Sequence, residues 1–235
     1  MEKSSQHTCT RNSPLSVVIS TRQKDDNHIK TIKKSFVHPK TQILVYENND
    51  EFSLSQIYNK GLQESVNDVV VFMHDDIMIE TESITKKILK LFENNPDFGI
   101  IGLAGTDELV SGMWWEKKDK MYGQVKHQHE GKTWKNSYSE GFGDRLKEVV
   151  CVDGLFFAVH KKRIVEGFDE EFPGFHFYDI PFCVSNFLKG VKIGVTTKIM
   201  VIHKSIGMVN KKWEKNKLFF ESKYGDQLPL TISQN

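Results

Sequence analysis

The chain has 235 residues, 38% of them hydrophobic, and 32 Lys plus Arg against 31 Asp plus Glu. That length suits one large domain, or a domain with an appendage, and the balanced charge excludes a global field that would recruit nucleic acid or an anionic membrane. Cys9, Cys151 and Cys183 are too few and too scattered for a disulfide framework or a cysteine zinc site, and no apolar run approaches the about 20 residues of a bilayer span, so a soluble intracellular protein is expected.

Residues 1–14 are polar and read as a disordered or extended N-terminal segment. Leu15 to Ser20 is a short β-branched run, the first expected strand. Asp26 to Phe36 spaces Ile29, Ile32 and Phe36 along one helical face, with Asp25 or Asp26 as cap. Thr41 to Tyr46 is the second strand. Ser53 to Ser65 places Leu54, Ile57, Tyr58 and Leu62 on one stripe behind Ser53 as N-cap. Val69-Val70-Val71-Phe72-Met73 then runs straight into His74-Asp75-Asp76. An unbroken apolar run reads as a buried strand, and ligands of open α/β sheets bind at such strand ends. Two adjacent carboxylates repel unless a cation joins them, so the pair is either a divalent metal site or an Asx turn closing the strand.

Ile84, Ile88, Leu91 and Phe92 mark a third helix, and Phe98 to Leu103 a fourth strand. This alternation implies βαβ units and a largely parallel sheet. There is no GxGxxG after the first strand and no GxxxxGK[ST], which disfavours a dinucleotide cofactor and a P-loop.

From Gly105 to Lys147 periodicity fails, although the span holds Trp114, Trp115, Tyr122, Trp134, Tyr138, Phe142 and six glycines. It reads as a functional loop or lid whose aromatics either stack on a flat ligand or fold back as a satellite core. Glu148 to His160 is one or two strands broken at Asp153-Gly154. Asp179 to Lys189 is helical, with Pro181 in the first turn and Gly190 ending it. Lys192 to His203 is strand-like. Asn210 to Lys223 is a polar helix with Trp213, Leu218 and Phe219 as anchors. The stretch from Lys198 to Lys223 is rich in lysine, holds no arginine, and has only Glu214 and Glu221 as acids, which marks either a local basic face or a plainly solvated helix.

Four features fall in order: Ser20-Thr21-Arg22, Tyr46-Glu47-Asn48-Asn49-Asp50, His74-Asp75-Asp76, and Gly167-Phe168-Asp169-Glu170 followed by His176-Phe177-Tyr178-Asp179. Together they resemble the GT-A glycosyltransferases of the bacterial family 2-like type, over roughly Leu15 to His203. The resemblance implies a Rossmann-like, mixed but mostly parallel sheet flanked by helices, with a long acceptor-side loop region. It divides residues 15–209 into a nucleotide-sugar half (15–104) and an acceptor and catalytic half (105–209), followed by a basic helix and tail (210–235).

By resemblance, Ser20, Thr21 and Arg22 bind the nucleotide, and Glu47 and Asn48 stand where the family places base-contacting acids, though Asn replaces the usual second Asp. Asn59 lies in the family's Asn-x-Gly, preceded by Tyr58 where Arg is common. His74 and Asp75 face the donor, Asp75 its ribose. Asp76 and His203 hold Mn²⁺ or Mg²⁺, the imidazole tilting the preference to Mn²⁺. Taken alone, His203 is more often a structural histidine than a ligand. Asp179 is the general base of an inverting transfer, or on its residues alone the N-cap of a helix. Trp114, Trp115, Asp153 and His176 are assigned to the acceptor side. The partners implied are a nucleotide-diphosphate sugar, UDP by family habit, and a glycan or lipid-linked acceptor, with no nucleic acid. A lipid-linked acceptor would bring this cytoplasmic protein into peripheral contact with the inner membrane face. The competing readings are a nucleotidyltransferase, whose Gly-rich basic signature is missing after the first strand, and a non-catalytic sugar-nucleotide or glycan-binding module, which would be expected to have lost Asp76 or Asp179.

Overall fold

The computed structural model describes residues 14–207 and 209–232. Cys9 and all but the last residue of the expected N-terminal segment lie outside the described residues.

The chain begins as strand, helix, strand, helix, strand: β1 (Ser16–Thr21), α1 (Asp26–Ser35), β2 (Gln42–Glu47), α2 (Leu54–Glu64) and β3 (Val69–His74). Local signals set these boundaries. The Asp25 carboxylate accepts from the backbone N–H groups of Asn27 and His28 at the head of α1. Ser53 and Gln56 form a reciprocal capping box at the head of α2. After Asp75 and Asp76 come β4 (Ile77–Ile79), α3 (Ile84–Asn94), β5 (Phe98–Gly102), β6 (Ala104–Thr106) and β7 (Glu108–Leu109). The span expected to be an irregular lid is largely a hairpin, β8 (Met121–His129) and β9 (Lys132–Ser137), turning at Glu130-Gly131. Next are β10 (Lys147–Val149), β11 (Cys151–Val152) and β12 (Phe156–His160). The chain then runs through α4 (Asp179–Phe187), β13 (Lys192–Val195), β14 (Val201–His203), α5 (Lys211–Tyr224) and β15 (Leu230–Thr231).

The main sheet has seven strands in the order β10-β13-β5-β12-β3-β1-β2. It is evenly mixed rather than mostly parallel. β1 runs parallel to β2 and β3, and β5 to β13, whereas β12 is antiparallel to both its neighbours and β10 to β13. Helical crossovers make β1, β2 and β3 parallel. β12 instead follows the β8–β9 excursion and re-enters from the opposite end.

A second sheet, β11-β6-β8-β14-β4 with β9 on the flank of β8, stands on the rim of the first. Three of its strands continue strands of the main sheet after a short kink: β3 into β4 across Asp75-Asp76, β5 into β6 across Leu103, and β10 into β11 across Val150. The kinks lie where the two sheets part, and the first of them carries the paired carboxylates.

One apolar core joins the layers. Val17, Val18, Val70, Val71, Phe72, Phe157, Ile193 and Phe182 are all buried in it. α5 belongs to it through Phe220 and Tyr224, with Asn216 also turned inward. Trp213 and Phe219 are half-buried against this core, but Leu218, expected as an anchor, is 68% exposed. A helix with inward positions at 216, 220 and 224 necessarily turns 218 outward.

Candidate active site

β3 ends at His74, and β14, antiparallel to β4 with His203 opposite Ile77, brings His203 back beside it. The backbone N–H of Lys204 donates to the Asp76 carbonyl at 3.1 Å and fixes that approach. One ligand atom from each of His74, Asp76 and His203 lies within 4.8 Å of the others. His203 Nε2 is the centre of the group, 3.2 Å from Asp76 Oδ1, 3.4 Å from His74 Nδ1 and 2.9 Å from the Ser205 hydroxyl.

The donor chemistry fits a divalent cation. Asp76 Oδ1 is buried without a hydrogen-bond partner, the His203 contact being a close approach rather than an aligned bond. An unsatisfied carboxylate oxygen beside two imidazole nitrogens is costly unless a cation completes it. The other ring nitrogen of His74 is already held, with Nε2 2.6 Å from the Tyr178 hydroxyl. Such an outer partner fixes the ring and leaves Nδ1 for a ligand.

Titration follows the surroundings. Burial pulls the His74 imidazole down to about 4, helped by neighbouring His203, so it stays neutral and able to ligate. Burial would raise the Asp76 carboxyl, but the two imidazoles outweigh it and hold it at about 2. His203 moves up: burial opposes its charge, and Asp76 more than offsets that.

The second half of the site is built around Asp153 and Asp179. Asp179 opens α4, and its Oδ2 accepts from the Gly154 backbone N–H at 2.8 Å. Gly154 also permits Tyr178 to reach His74, since a Cβ there would lie 2.3 Å from the Tyr178 hydroxyl oxygen. Phe177, just before Tyr178, is held at φ 60° in the left-handed region, buried among Phe172, Trp213 and Phe220. Strain of this kind persists only where packing over-determines it, and here it sets the entry into α4. Burial first, and the Asp153 charge second, push the Asp179 carboxyl up to about 7. Asp153 is itself raised by burial, and its carboxylate accepts from the Leu155 N–H at 3.3 Å.

The remaining expected residues divide into available and occupied groups. The Ser20 hydroxyl, at the end of β1, is buried with no partner. Glu47 is exposed at the end of β2, and Asp75 lies half-buried beside Asp76. Arg22 is exposed, 3.7 Å from Asp50 and over the Phe175 ring. Thr21 donates to the Gln23 carbonyl at 2.9 Å. Asn48 is spent locally, its amide bonding the Phe52 backbone in both directions. Asn59 is bound to the Phe168 backbone and to Glu170, which ties α2 to the 168–170 loop and keeps it out of the group around Asp76. Of the residues expected to border an acceptor, Trp114 is buried edge-on to Tyr138, so it joins a satellite core, whereas Trp115 remains 37% exposed and packs on Trp213. His176 Nε2 is 3.3 Å from the Asn210 amide, at the N-cap of α5.

Sequence reasoning missed Ser205, His127 and the role of Tyr178. His127 stands opposite His203 in the β8–β14 register, contacts the Ser205 carbonyl at 3.1 Å, and stacks on Trp134. The alternation Met121, Gly123, Val125 inward along β8 was the available signal, weakened by a glycine at one of its three inward positions.

The comparisons with known proteins bear on the family and the fold. The chain belongs to the glycosyltransferase like family, whose pattern matches residues 18–224. No curated protein matches the sequence. Among solved structures it is similar to GalNAc-T7 with UDP, GalNAc and Mn²⁺ (TM-score 0.55, 9% identity, covering 89% of this chain and 48% of that one). It is also similar to the mannosyltransferase PcManGT from Pyrobaculum calidifontis in complex with GDP-Man and Mn²⁺ (TM-score 0.58, 8% identity, 93% and 66%). The protein has the GT-A fold and spans about half the length of the first of these and about two thirds of the second. No helix among the described residues is long and apolar enough to cross a membrane.

Proposed function

We propose that the protein is a metal-dependent inverting glycosyltransferase that moves a sugar from a nucleotide-diphosphate donor, by family resemblance a UDP-sugar, to a hydroxyl of a glycan or lipid-linked acceptor. The observation that carries this reading is the pairing, on one sheet rim, of a converged His74, Asp76 and His203 with a buried carboxyl at Asp179 raised to about 7. His74 Nδ1, Asp76 Oδ1 and His203 Nε2 would hold the cation. Two imidazoles and one carboxylate suit Mn²⁺ better than Mg²⁺, which prefers an all-oxygen shell. Bound there, the metal supplies positive charge to the departing diphosphate.

The chain's own residues do the rest. The unpartnered Ser20 hydroxyl and the exposed Glu47 offer hydrogen bonds to the nucleotide, and Asp75 offers one to its ribose. Asp179 in its ionised form takes the proton of the acceptor hydroxyl as that oxygen bonds to the anomeric carbon. The bond from that carbon to the diphosphate oxygen breaks with its electron pair, so configuration inverts. A carboxyl titrating near 7 is a stronger base than an ordinary Asp, yet half ionised at neutral pH. Burial, with the Asp153 charge behind it, keeps it there, and Gly154 N–H orients it. Trp115 and His176 border the acceptor side.

The direct test is thermal stabilisation by UDP, GDP, CDP and TDP with and without Mn²⁺, followed by a donor-hydrolysis screen over sugar nucleotides. One nucleotide stabilising only with metal, and hydrolysis of a sugar it carries, is the expected result. Absence of any metal-dependent nucleotide effect would overturn the reading.

A further inference from the structure

Directly after His203 the chain leaves the rim and passes along the surface into α5. This stretch departs from an ordinary solvated surface in two ways. Lys217 and Lys223 are tied to Glu221 and Asp169, whereas Lys204, Lys211, Lys212 and Lys215 make no ion pair among the described residues. Interspersed with these free lysines are aliphatic side chains left in water: Ile206 is 57%, Val209 63% and Leu218 68% exposed. α5 is pinned by Asn216, Phe220 and Tyr224 on its inner side, so Lys211, Lys215 and Leu218, spaced four and three apart, share its outer face. Glu214 is the one exposed acid on the helix.

The geometry points to this face as a docking surface for an anionic lipid bilayer. A polyanion such as nucleic acid would need the lysines but not the aliphatics, and its readers favour arginine, which this stretch does not contain. A protein partner would find an interface centre crowded with lysine, the residue that interface cores exclude. A bilayer of acidic lipids uses both components: lysines attracted to the headgroup charge, and aliphatic side chains entering the acyl boundary. Trp115, half-exposed and tilted on Trp213 of α5, adds an aromatic of the kind that settles at the headgroup level. The surface begins one residue beyond His203, so docking this way would bring the rim close to the membrane. That the rim then meets a lipid-linked acceptor rests on the transferase reading; the docking itself does not.

The test is partitioning of the full chain onto vesicles. With phosphatidylglycerol and phosphatidylcholine vesicles at low salt the protein is expected to co-sediment, and with phosphatidylcholine alone to stay in solution. Replacing Lys211, Lys212 and Lys215 together by Gln should weaken partitioning about 100-fold, at about fivefold per lysine. Val209→Ser with Leu218→Ser should weaken it about tenfold. The melting temperature of each variant, and nucleotide stabilisation by Mn²⁺ without vesicles, should stay at the wild-type level, which separates this proposal from the function of the rim. Equal partitioning onto both vesicle types, or an unchanged value in the lysine variant, would overturn it. Self-association of the wild type that the same substitutions abolish would also overturn it, by assigning the face to a second copy of the chain.

Discussion

Asp76 and Asp179 are the same residue type on the same rim, and they titrate in opposite directions. Burial penalises the charge of both. Asp76 faces two imidazoles and drops to about 2; Asp179 faces another carboxylate, Asp153, and rises to about 7. The neighbour's sign therefore decides the role: a carboxylate kept ionised suits cation binding, and one kept near neutrality suits moving a proton.

Several experiments can break or sharpen that contrast. The largest effect is expected from Asp179→Asn, which should lower the transfer rate by about 10²–10⁴-fold and leave Mn²⁺-dependent nucleotide binding intact. Full turnover in that variant would place the base elsewhere. Asp76→Ala should do the reverse and weaken nucleotide affinity in Mn²⁺ by at least about 100-fold, with little change in metal-free buffer; calorimetry reads both conditions.

Stability separates the two residues by sign. The folded-state value of Asp179, about 7, lies above its ordinary 3.8, so its contribution is complete below 3.8 and is lost as pH rises through about 7. Asp179→Asn should therefore melt higher than wild type at pH 8 and lose that advantage by pH 4. The folded-state value of Asp76, about 2, lies below 3.8, so its contribution is present above 3.8 and lost as pH falls towards 2. In metal-free buffer Asp76→Asn should melt lower than wild type at pH 6, the gap closing in strong acid. Parallel melting curves for the two variants would show that the contrast is not real. The smallest effect belongs to Asp153→Asn, which removes one repelling charge. The midpoint of the pH–rate profile should move to lower pH with the plateau kept, and an unmoved midpoint would mean that burial alone raises Asp179.

Much of the first half of the chain was legible because its signals are local. Asp25 and Ser53 cap their helices as read, and the run from Val69 to Met73 is buried throughout. The β8–β9 hairpin was not legible: five of the six residues of β9 are exposed, so the chain writes no inside and outside along it. Nor could periodicity show that β12 runs against its neighbours, because a fully buried strand reads the same in either direction. At the site, the readings of Asp76, His203 and Asp179 rest on family-like order. Asn48 and Asn59 matched that order as well, yet their amides are bound to Phe52 and to Phe168 and Glu170. Motif position records which residue stands at a place, not what already holds it. The bond from Tyr178 to His74 links segments far apart in the chain, and only the Gly154 clearance makes it possible.

The reversed strand β12 also bears on how the protein comes into being. β3 finishes at His74 where β12 begins, the His74 N–H donating to the Leu155 carbonyl at 3.0 Å. The two halves of the rim thus meet only after the chain has made its excursion and returned, and His203 arrives later still. During synthesis the first half can acquire its βαβ layers while its reactive end is still open, and long-range pairings of this kind close slowly. The rim is complete only once residue 203 has been made, so a nascent chain stalled before it would carry a folded first half without the converged group of His74, Asp76 and His203.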